Sequence, residues 1–193
     1  MSPRARAMAP EERREVLVDV TLRLLREHGR AVTTRQIAEA AGVAEGTIFR
    51  VVDSKDELVD AAIARAFEPG DVEARILEID PGLPLRERLV RLASIIQQRH
   101  RATFALMTKV GFMRPPDHDG VKAQAWRARA EELILGVLGD PGQFRAPAPY
   151  VAHVFRLVSF AGSHDQIADG SLLTPEQIVE VVLDGLGKDD DAC

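Results

Sequence analysis

The chain has 193 residues, enough for one large or two small domains with a real apolar core. Its net charge of -5 argues against wholesale coating of nucleic acid, though a local basic face is compatible with it. The single cysteine, Cys193, forbids an internal disulfide, no apolar run nears the roughly 20 residues of a membrane span, and the N-terminus lacks the apolar stretch of an export signal; a cytoplasmic protein without membrane association is expected.

Pro10, followed by acids and a stripe of Leu17, Val20, Leu24 and Leu25, predicts a first helix that Gly29 stops. Thr33 or Thr34 caps a short helix over RQIAEAA, which ends at Gly42, and EGTIFRVV forms a third. Ser54 with Glu57 is a capping box opening a fourth helix over 55–67. Pro-Gly pairs between 68 and 84 mark a connector around a short helix, VEARILEI, and a domain boundary.

Beyond it, Leu85, Leu89, Leu92, Ile96, His100, Thr103 and Met107 recur at helical spacing. GFMRPPDHDG interrupts that stripe, because two prolines cannot continue a helix. Three more helices are expected over VKAQAWRARAEELILGVLG, YVAHVFRLVSFAGSHDQIAD and TPEQIVEVVLDGLG, the last with Thr174 as N-cap and Gln177 closing its box. No hairpin signal, repeat or low-complexity tract appears. The fold class is all-α, with one domain over 10–67, a second helical domain over 68–187, and disordered tails at 1–9 and 188–193.

Candidates for chemistry are His100, His118, His153 and His164, with Asp117, Asp119 and Asp165 beside them. There is no HExxH, nucleophile elbow or Gly-rich phosphate loop. His153 and His164 lie about 16 Å apart along one predicted helix, too far to share a metal. No catalytic residue, metal site or cofactor is expected, and the chain is not read as an enzyme.

The order of a long helix, a short helix, Gly42, a short helix and a capped helix fits a helix-turn-helix module. The motifs TTRQIAEAAGV, GTIF and SKDEL, in that register, resemble the DNA-binding domain of the tetracycline-repressor (TetR) family, over roughly residues 16–63. The resemblance implies a three-helix DNA-binding domain followed by a helical ligand-binding and dimerisation domain. It implies a ligand-responsive, dimeric transcriptional regulator, a repressor released from a pseudo-palindromic double-stranded DNA operator by a small apolar or amphipathic effector. The alternative is a helical small-molecule-binding protein or enzyme in which the helix-turn-helix is only a packing corner.

Under that resemblance EGTIFRVV is the recognition helix, presenting Glu45, Gly46, Thr47 and Arg50 to base edges and phosphates. Arg35 and Phe49 join this DNA-binding set, and Thr34 and Lys55 are phosphate anchors. Gly46 costs roughly 1 kcal/mol against alanine inside a helix, which either close approach of DNA or tight helix packing would explain. Three positions depart from the family pattern: Phe49 for tyrosine, Val51 and Val52 for aromatics, and Ala44 for a capping serine or threonine. Arg4 and Arg6 are either an arm for the adjacent groove or a disordered start.

For the ligand, His100, Thr103, Phe104, Met107, Phe112, Trp126 and Phe155 are the expected pocket, with Met113, Phe160, Gln97 and His153 as further wall. Each is otherwise ordinary core. For the homodimer, the expected seam is Val154, Val158 and Ala161 of one helix with Ile178, Val182, Leu183 and Leu186 of the last, a helix apolar nearly all round.

Overall fold

The computed structural model describes residues 9–111 and 120–186, among which nine α-helices and no strand occur. No helix among them is long and apolar enough to cross a membrane. Arg4, Arg6, Phe112, Met113, Asp117, His118, Asp119 and Cys193 lie outside the described residues. The chain divides into two compact units, one from the described part of 1–68 and 105–116, the other from that of 69–104 and 117–193.

In the first unit, α1 (Pro10–His28) starts on a proline whose missing N–H costs nothing at a first turn, and Glu11 and Glu12 oppose the helix dipole there. Its buried stripe, Leu17, Leu24 and Leu25 with Val18 and Leu22, packs chiefly on α4 (Lys55–Ala66) through Leu58, Val59, Ala62 and Ile63. Between them stand α2 (Thr34–Ala41) and α3 (Glu45–Ile48), which insert Ile37, Ala38 and Ile48 into the same core. Leu106 and Val110 complete it, so the chain enters this unit a second time. There Arg30 Nε donates to the Val110 carbonyl at 2.9 Å, and Lys109 Nζ to that of Arg26.

The second unit contains α5 (Val72–Leu77), α7 (Val121–Leu138), α8 (Ala148–Ala161), α9 (Pro175–Leu186) and the first part of α6 (Leu85–Val110). Its core runs through Leu89, Leu92, Ile134, Leu138, Phe155 and Ile178. The short helix expected as part of a connector is α5, and Val72 and Ile76 anchor it in that core. Thr174 and Gln177 form the expected box at the head of α9: the Thr174 N–H donates to Gln177 Oε1 at 2.8 Å, the Gln177 N–H to Thr174 Oγ1 at 3.2 Å.

The helix predicted to continue to residue 169 stops at Ala161. Gly162 lies so close to Leu173 that an added Cβ would stand 2.8 Å from its Cδ1, and the Leu173 N–H donates to the Gly162 carbonyl at 3.0 Å. Buried Gln97 ties down the same segment by donating to the Leu173 carbonyl at 2.8 Å. A returning segment, not local propensity, ends the helix. His164 therefore stands beyond the end of α8, not on one helix with His153. Ile178 and Val182, expected in a subunit seam, are fully buried in the core of their own chain.

Candidate functional site

Two places in the structure gather the candidate residues, one in each unit. The first is the corner of α2 and α3. Thr33, not Thr34, is the N-cap of α2, and its hydroxyl accepts the Gln36 N–H at 3.2 Å while Gln36 Oε1 accepts the Thr33 N–H at 2.8 Å. Gly42 ends α2 in the left-handed region (φ 67°, ψ 30°), which glycine enters without a Cβ penalty. The Val43 N–H then returns to the Ala38 carbonyl at 3.0 Å, so the chain reverses within two residues.

α3 has four residues where eight were expected. Gly46, Thr47, Val51 and Val52 are weak helix formers, and the following turn closes with the Val51 N–H on the Ile48 carbonyl at 3.0 Å. No side chain caps it, as Ala44 at its N-cap implies. Instead, Thr34 Oγ1 donates to Glu45 Oε1 and ties the two helix starts together. Lys55 Nζ donates to the Val32 carbonyl at 3.2 Å, covering the strap before α2.

What remains outward is a compact face: Arg35, Glu45, Gly46, Phe49 and Arg50 are exposed, and Thr34, Thr47 and Lys55 half-buried. Phe49 is 53% exposed, a large apolar surface left to solvent. A Cβ built on Gly46 meets no atom within 4 Å. Tight helix packing therefore does not explain this glycine.

The second place is a cavity of about 340 Å³ within the other unit. α5 supplies Val72 and Ile76, α6 Ile96, Arg99 and His100, α7 Trp126, Arg127, Ala130 and Ile134, and α8 His153, Arg156, Leu157 and Phe160. Of the expected ligand residues, His100 and Trp126 line it. Phe104 stands beside it, edge-on to the rings of Phe160 and His164 at 5.1 and 4.4 Å. Thr103 is occupied at home, its hydroxyl donating to the Arg99 carbonyl at 3.1 Å. Phe155 is fully buried core, and Met107 belongs to the first unit. The three arginines carry no motif; they lie on three helices, and no spacing along the chain links them.

His100 is held neutral. Burial is the main cause, opposed by a hydrogen bond to the Ser159 carbonyl and reinforced by the Arg99 and Arg156 charges, and its pKa falls from 6.5 to about 4. Its Nδ1 has no hydrogen-bond partner among the described residues. The unfolded chain protonates this ring below about pH 6.5, whereas the folded chain waits until about pH 4. Stability is therefore full above pH 6.5 and declines through that window, by up to roughly 3 kcal/mol. Denaturant titrations of parent and His100→Gln from pH 7.5 to 4.5 should show the extra decline in the parent alone; parallel curves would refute it. No group of three or more His, Cys, Asp or Glu side chains that could hold a metal occurs among the described residues.

Against known proteins, residues 17–62 match the model described as bacterial regulatory proteins, tetR family. The HTH-type transcriptional repressor KstR of Rhodococcus jostii (strain RHA1) is 40% identical over 95 residues, 49% of this chain and 42% of that protein. KstR2 of the same organism is 45% identical over 56 residues, 28% of this chain and 27% of its own length. The chain thus spans less than half the length of these curated relatives. Beyond the first helices the likeness is one of fold: a tetR-family transcriptional regulator from Streptomyces coelicolor superposes with a TM-score of 0.63 at 23% identity, over 92% of this chain and 80% of that one.

Proposed function

We propose that the chain is a tetR-family regulator, as the match of residues 17–62 and the partial likeness to KstR support, and that it is a dimeric repressor whose DNA affinity is set by a small molecule. The observation that carries the reading is the empty space around Gly46. A helix-turn-helix used only as a packing corner would bury its second helix; here Gly46, Phe49 and Arg50 are exposed. A glycine with nothing against it, in a helix where alanine is favoured by about 1 kcal/mol, suits a surface that a DNA backbone approaches closely.

The test is a mobility shift with DNA from around the protein's own gene, at several salt concentrations. Gly46→Ala should melt no lower than the parent yet lose specific binding. Arg50→Ala should cost about 1–3 kcal/mol at the operator, whereas Lys55→Ala should weaken all sequences alike and lower the salt slope by about one. Parent-like binding by both Gly46→Ala and Arg50→Ala would remove the face from DNA.

The dimer follows from α8 and α9. Tyr150 and Leu157 of α8 and Val181 of α9 are apolar and 53–54% exposed. Two such helices from each copy form a two-fold four-helix seam. Recognition helices of a dimer read half-sites one DNA turn apart, roughly 34–36 Å. The effector site is the cavity between α5, α6, α7 and α8. A molecule there weakens DNA binding only by favouring the state that binds DNA poorly, so DNA must weaken its binding by the same factor.

A further inference from the structure

The outward face of the α2–α3 corner combines cations, Arg35, Arg50 and Lys55, with an acid, Glu45. Toward a DNA backbone a carboxylate adds repulsion where arginine and lysine add attraction. Its use on such a face lies in the groove, where it accepts a hydrogen bond from a base amine. Glu45 is exposed, and it is also held. Thr34 in the first turn of α2 reaches across the corner, and its Oγ1 donates to Glu45 Oε1. A threonine hydroxyl has a single proton. Directed to Glu45, that proton is not offered to a phosphate, and Thr34 orients the carboxylate instead. One accepted bond leaves the second carboxylate oxygen able to accept another. Gly46, next in the chain, adds no side chain and faces open space, so a groove wall can come close to Glu45.

Two bases show an amine in the major groove. That of adenine lies between two acceptors, its own N7 and the thymine O4, whereas that of cytosine has an acceptor, guanine O6, on one side only. A side chain that only accepts meets less repulsion at cytosine. We infer that Glu45 selects a cytosine in each half-site through that amine, and that Thr34 is the residue that positions it. The inference rests on the proposed DNA-binding reading of this corner. An acid in the first turn of α3 also opposes the helix dipole, but that role alone moves stability and not base preference.

Selection of DNA from a random-sequence library by the full chain, followed by mobility shifts on single-base variants of the enriched site, tests it. The parent should prefer cytosine at one position of each half-site by roughly tenfold or more. Glu45→Ala should erase that preference and leave the other positions unchanged. Glu45→Gln should move it to adenine, whose N6 and N7 a glutamine amide matches. Thr34→Val should weaken the cytosine preference several-fold and Thr34→Ser keep it, with melting curves confirming that all four variants fold. An enriched site without such a cytosine, or the parent's preference retained in Glu45→Ala and Glu45→Gln, would overturn the inference. A loss spread evenly over every position would do the same, because it marks a structural role for Glu45. A cytosine preference left at parent strength by Thr34→Val overturns the positioning role. No enrichment by the parent removes the DNA-binding reading itself, and the inference with it.

Discussion

Val182→Glu is expected to unfold the second unit, while Val181→Glu, one residue away, leaves it folded and separates the proposed dimer. Val182 is fully buried in the core that holds Phe155, Ile178 and Val179. A carboxyl there must either stay protonated at neutral pH or keep a charge without a partner, a cost of roughly 5 kcal/mol. That is a large part of the total stability of an ordinary domain. Val181 is 53% exposed, and an exposed substitution shifts subunit stability by about 0.5 kcal/mol or less. Urea denaturation followed by circular dichroism separates the first effect, and sedimentation the second. A cooperative, parent-like transition in Val182→Glu would contradict the core placement. An undiminished dimer in Val181→Glu would take the interface off α9.

Gly29→Ala should destabilise the first unit by about 3 kcal/mol or more. Gly29 ends α1 at φ 58° and ψ -150°, a region that side chains of L-residues rarely enter and that costs roughly 1–3 kcal/mol. A Cβ there would also stand 2.6 Å from the Lys109 carbonyl oxygen, a backbone atom that cannot swing away as a side-chain tip could. The neighbouring backbone is held as well, by the Arg30 bond to Val110 and the Lys109 bond to Arg26. Overpacking of this kind adds about 1–3 kcal/mol. DNA binding should fall with the folded fraction. An unfolding free energy within about 1 kcal/mol of the parent would show that the backbone yields there at little cost.

Much of the first unit was legible residue by residue. The cap of α2, narrowed to Thr33 or Thr34, the end of that helix at Gly42 and the uncapped start at Ala44 each arise from groups within a few residues of one another, although the Gln36 half of the box was not read. Ser54 is a partial case: its hydroxyl accepts the Glu57 N–H at 3.1 Å as expected, but the Glu57 carboxylate turns to the Asp53 N–H at 2.7 Å and to Arg14. Those two partners hold the Glu57 pKa below the usual carboxylate range, the Asp53 bond foremost. Arg14 comes from another helix, and a capping pattern contains no information about it.

The second unit shows the opposite balance. Its helices announce themselves by period and by caps such as Thr174 with Gln177, because those signals depend only on hydrogen bonds within a turn. The amino-acid sequence by itself thus determined an all-α chain, the position of its corner at Gly42 and a set of residues there that the fold leaves exposed or half-buried. It could not rank Val181 against Val182, since a helix apolar on every side has no sequence mark for its buried face. Nor could it bring Arg99, Arg127 and Arg156 together, or stop α8 at Ala161. Those outcomes belong to tertiary structure, because each depends on which distant surface arrives: Leu173 against Gly162, the core against Val182, and four helices around one space.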